Sequence, residues 1–172
     1  RWVEQGALQG NPADMPPLKP VSTALYWQAE KDGFGPPDIV VASGEQTMPK
    51  LHQDEWWRPL VDIPGLTEPR WVRMVEIRPS NLPGRKILHH SIAYQVLNPE
   101  NVDAVNTGTT RGFGGAANAT VEDRVNRRPQ LMEWAIGKGY DLYRPDSGKL
   151  LLPGSQIAWD IHIHAVGEEL TE

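Results

Sequence analysis

The chain has no cysteine in its 172 residues. That excludes disulfide bonds, thiolate metal sites and haem attached through Cys-x-x-Cys-His. Any metal here must be held by nitrogen and oxygen donors. Compartment stays open on this point, because oxidising compartments do not require cysteine. Positive charge is also short. There are 17 Lys and Arg against 22 Asp and Glu, a net of −5, with no basic cluster. This argues against a nucleic-acid partner. No apolar run approaches the length of a transmembrane segment. An initiator Met and a signal peptide are missing as well, and the chain reads as a processed product or a piece of something longer.

What is abundant points to strands. Sixteen Pro, 16 Gly and seven Trp suit short strands, frequent turns and large aromatic core pieces better than a helical bundle. The length allows one good core, or one domain with an appendage. Residues 1–20 open with a helix-like stub around Trp2 and Val3 and continue as an irregular Pro/Gly-rich arm, of the kind that is ordered only when it docks on something. Residues 21–50 are linker-like, with one expected strand at Ile39–Ala42. From residue 51 to 172 strand signals recur. Glu55–Ile63 ends at the turn pair Pro64-Gly65. Arg70–Arg78 alternates with period two. Lys86–Leu97, Leu131–Ile136, Tyr140–Tyr143, Lys149–Leu152 and Ser155–Val166 follow, and residues 98–130 form a long polar stretch containing the sequon Asn118-Ala119-Thr120. There is no βαβ alternation. The expected fold is all-β, an antiparallel, jelly-roll-like β-sandwich.

Four of the five histidines fall in two of these runs. In Ser155–Val166, Ile157, Trp159, Ile161 and Ile163 share one face, and His162 and His164 project from the other with Asp160. His-x-His on a strand separates two Cα atoms by roughly 6.5–7 Å, a spacing suited to chelation and equally to an exposed polar face. His89-His90 is harder to reconcile with one ion. Adjacent side chains on a regular strand point to opposite faces, so both can ligate together only if the strand is bulged or the ion sits at its end. Three or four neutral imidazoles without thiolate suit copper, zinc, iron or nickel, and three with an open position suit a reactive metal. Asp160 and Glu133 are available to fix a ring tautomer from behind. His52 reads as an exposed loop residue, and Met74 and Met132 as core.

The order LVDIPGLTEPRWVRMVEIRP, KILHHSIAY, MEWAIGKG, KLLLPGSQIAWDIHIHAVGEEL resembles the first copper-binding domain of the type II ascorbate-dependent monooxygenases. That group contains the peptidylglycine and dopamine hydroxylases and many bacterial relatives. The resemblance covers roughly residues 55–170. It implies that His89 and His90 are the family's paired ligands and that His162, within Ile161-His162-Ile163, is the third. His164 is then an extra histidine, and Gly167-Glu168-Glu169 stands where the family has Gly-Lys-Glu. It implies copper as cofactor and one-electron transfer as the role. The oxygen- and substrate-binding copper of the family lies in a second domain, so no catalytic residue is expected in this chain.

Residues 1–17 resemble the closing helix and Gly-x-Pro-Ala-Asp-x-Pro tail of some bacterial c-type cytochrome domains. This implies an upstream haem-containing domain or subunit as partner, and a periplasmic or extracellular location. Two other readings stand beside the copper domain. One is a cupin-like metal site using His162, His164 and Glu168, which leaves His89 and His90 idle. The other is a non-enzymatic β-sandwich assembly module whose N-terminal arm docks on a neighbour.

Overall fold

A computed structural model describes residues 1–17, 24–97 and 129–172. The polar stretch from residue 98 to 128, with its Asn118 sequon, lies outside them. The described residues form an all-β fold of antiparallel ladders. The organising strand is β10 (Gln156–Ile163), whose period-two pattern sends Ile157, Ile161 and Ile163 into the core. Each such side chain contributes roughly 1.5–3 kcal/mol of burial. Along its whole length β10 pairs with β6 (Leu88–Val96), which in turn pairs with β7 (Gln130–Ala135).

The other edge of β10 is covered in two pieces, β2 (Glu55–Trp57) and β3 (Leu60–Asp62). One strand was expected over Glu55–Ile63. It breaks at Pro59, which has no N–H to give to a ladder; the Pro59 carbonyl instead accepts from Trp159 N at 3.0 Å. The run Arg70–Arg78 is likewise split. β4 (Arg70–Val72) pairs with β9 (Lys149–Leu151), and β5 (Met74–Glu76) pairs with β8 (Tyr140–Leu142). At the break the Arg73 carbonyl accepts from Tyr143 N, and the inward side changes parity from Val72 to Val75 and Ile77. These short pairs supply the second layer. Leu151 of β9 and Ile77, just after β5, belong to the same apolar cluster as Ala93, Ile157 and Ile161 of the five-stranded sheet, and Val72 and Val75 pack against it.

Residues 24–50 lie along this sandwich. The short helix α1 (Gln28–Lys31) is held at its N-terminus by the Glu76 carboxylate, which accepts from Gln28 N at 2.7 Å and Ala29 N at 2.9 Å. These are two of the donors a helix start leaves open. The strand expected at Ile39–Ala42 is absent as a ladder. Ile39 and Val41 pack on the core by side chain alone, with Val40 half exposed between them. The strand in this region is β1 (Thr47–Met48), paired with β11 (Leu170–Thr171). In the arm, Trp2 and Val3 lie in a turn rather than a helix. Pro12–Asp14 forms one 3-10 turn, capped by Asn11, whose side chain accepts from Ala13 N. No helix among the described residues is long and apolar enough to cross a membrane.

Candidate metal centre

β6 does not begin where its alternation suggests. Residues Gly84–Ile87 form a helical turn, α2, and the strand starts at Leu88. The ladder with β10 then slips. His90 stands opposite His162, but Leu88 stands opposite Ile163. His89 is therefore the extra residue of a β-bulge. Leu88 and Ser91 are both buried, although two residues separate them. On an even strand their side chains would point to opposite faces; the bulge lets both point inward and turns His89 and His90 outward together. The condition for both imidazoles to reach one point is thereby met.

Three rings converge there. His89 Nδ1 lies 3.0 Å from His162 Nδ1, and His90 Nδ1 lies 3.1 Å from His89 Nδ1. The ligand atoms of all three fall within 4.8 Å of one another. A ring nitrogen has one in-plane direction, occupied either by a proton or by a lone pair. His89 Nδ1 is shared by two close contacts and can serve only one of them as a hydrogen bond. A cation placed between the three lone pairs serves all of them. At ordinary metal–nitrogen distances of about 2.0–2.1 Å, nitrogens this close together could share one cation, which His89, His90 and His162 would hold.

The surroundings favour a neutral His90 ring. Burial, and then the charges that His162 and His89 would carry, hold the His90 pKa below the ordinary histidine value; Glu133 and Asp160 pull it weakly upward. Neutral imidazole is the ligating form. His162 keeps only 12 % of its side-chain surface, and its Nε2 lies 3.0 Å from Asp54 Oδ2. An Nε2–H donated to that carboxylate leaves the Nδ1 lone pair directed at the cluster. Trp56, opposite His162 in the ladder, stacks on its ring at 4.5 Å and 9°, and meets His90 edge-on at 5.0 Å.

The sequence reading placed Asp160 and Glu133 behind the ligands. Asp160 is instead bonded to Arg58 Nε at 2.8 Å. Glu133 is exposed, with its backbone carbonyl accepting from Lys138. Among the described residues Asp54 is the carboxylate that touches a ligand ring, and sequence reasoning missed both it and Trp56. The signal was the β2 run itself, which places residues 54–57 beside the end of β10. His164 is not among the three clustered ligands, but its ring meets that of His89 edge-on at a centroid separation of 5.9 Å. Glu168 is paired with Lys86 at 2.6 Å. His52 is exposed and contacts the Gln53 carbonyl. Met132 is buried in the core and Met74 is half-buried.

Comparison of the chain with family models, with curated proteins and with solved structures gives no match.

Proposed function

We propose that this chain is a copper-binding, electron-transfer domain of a monooxygenase-like protein, with the ion held by His89, His90 and His162. The observation that carries the reading is the convergence of three Nδ1 atoms at 3.0 and 3.1 Å through a bulge at His89. Two imidazole contacts on one nitrogen make a poor hydrogen-bond network and a good ligand set. An all-imidazole donor set suits copper among several metals, and the sequence resemblance is what selects copper from them. Bound copper would supply one-electron redox chemistry. Asp54 fixes the His162 tautomer, and Trp56 shields that ring. In this reading an upstream cytochrome-like domain or subunit is the electron donor, and the protein is periplasmic or extracellular.

The cupin-like alternative requires His164 and Glu168 as ligands. The ion pair of Glu168 with Lys86 favours the three-histidine set, whose ligand atoms cluster without His164. The test is to load the purified chain with Cu(II), remove the excess and count bound copper, with Zn(II) in parallel. One copper per chain, lost in both His89→Ala and His162→Ala, supports the proposal. Copper that survives His89→Ala but not Glu168→Ala moves the site to the cupin-like set. An unmutated chain that retains no copper leaves the assembly-module reading.

A further inference from the structure

Beneath the sheet that carries the histidines lies a second feature, on the other face of β6 and β10. A cavity of about 470 Å³ opens between the layers, walled by Ala93, Leu131, Ile157 and Trp159 on one side and by Val72 and Val75 on the other. That volume lies within the roughly 300–1,000 Å³ of pockets that enclose small organic ligands, and its apolar wall matches their usual lining.

Two observations indicate what it would take. The first is Arg73. It lines the cavity, is exposed, and lies with its guanidinium carbon 6.0 Å from the centre of the Phe34 ring. No carboxylate pairs with it among the described residues, whereas neighbouring Arg70 is held by Glu68 and neighbouring Glu76 is consumed by the start of α1. The second is the covering segment. Residues 35–45 make no backbone–backbone hydrogen bond among the described residues and are held by the packing of Ile39 and Val41. Pro36, Pro37 and Ile39 of this strap line the cavity.

We infer that this cavity is a binding site for a small apolar carboxylate, such as a medium-chain fatty acid, with the chain between the sheets and the carboxylate at Arg73. The inference is independent of the metal reading. Asp38 also lines the cavity, so the sign of the headgroup is part of the test.

Isothermal titration of the full chain with dodecanoate, dodecanol and dodecylamine, each below its micellar concentration, decides the matter. The expected result is one dodecanoate per chain, with dodecanol about tenfold weaker and dodecylamine weaker still. Arg73→Ala weakens dodecanoate about tenfold and leaves dodecanol unchanged. Ala93→Leu, which projects into the cavity, abolishes uptake of both. Arg73 is on the surface, so its variant remains informative if Ala93→Leu does not fold. No uptake by the unmutated chain overturns the inference. So does a preference for the amine, or dodecanoate binding that neither variant alters.

Discussion

The Asp54 carboxylate lies 3.0 Å from Nε2 of His162, at the opposite nitrogen from the one that faces His89. The contact determines which ring nitrogen of His162 carries the proton. Asp54→Ala frees the tautomer. Loss of such an outer carboxylate costs about 10–100-fold in metal affinity. Asp54 is 63 % exposed, so the expected loss is at the lower end, about tenfold, with folding stability within about 0.5 kcal/mol of the parent. Competition titration against a chelator measures the affinity, and an unchanged value would remove Asp54 from the site.

His89 and His162 separate ligation from folding. His89 is exposed and is the unpaired residue of the bulge. His89→Ala should abolish copper retention while changing stability by no more than about 0.5 kcal/mol. His162→Ala should abolish it equally. It should also cost about 1 kcal/mol, because its ring stacks on Trp56. Urea unfolding of the metal-free variants reads the difference, and equal stability losses would contradict the packing role given to His162.

Trp56 makes the site visible. Its ring contacts both His162 and His90, within the range where bound Cu(II) quenches indole emission. Copper should quench the chain's fluorescence, and Trp56→Leu should remove the largest share of that quenching while stoichiometry stays at one. The same variant should lose about 1 kcal/mol of stability. Quenching that persists undiminished would place the ion elsewhere.

Alkaline pH tests the second layer. Tyr143 donates its hydroxyl proton to the Leu131 carbonyl at 2.9 Å. Burial, reinforced by the charge of Asp141, pushes its pKa up to about 12. The folded value lies above the unfolded one near 10, so the folded state holds the proton longer. The stability linked to this group is fully present below pH 10 and is lost as pH rises toward 12. Ultraviolet titration should show a tyrosine ionising late, and Tyr143→Phe should remove that step and flatten the decline. A Tyr143→Phe titration identical to the parent's would refute the assignment.

Where one chemical pattern sets one local outcome, the sequence was readable. The alternation in Ser155–Val166 places four apolar residues inward and His162 outward, and β10 has that form. Leu131–Ile136, Tyr140–Tyr143 and Lys149–Leu152 correspond to β7, β8 and β9 within a residue or two. The breaks at Pro59 and Arg73 were harder, because each depends on which partner strand lies beside it. The bulge is the sharpest case. Sequence alone states that His89 and His90 need an irregularity to act together. The irregularity itself is a property of the pairing with β10, some seventy residues on. The β2 run marked residues 54–57 as a strand end, but that Asp54 meets His162 depends on the same pairing with β10.

His89 and His162 are 73 positions apart, in a chain that has no cysteine with which to fasten itself. An ion gripped by both would act as a reversible cross-link, closing a loop that in the unfolded chain is free. By the chain-entropy reasoning applied to disulfides, a closure of that length is worth roughly 4 kcal/mol. Because the three rings meet only after β6 and β10 have paired, the unfolded chain offers no comparable chelate. Metal content would then report on the folded fraction, and a chelator would act on this domain as a denaturant does.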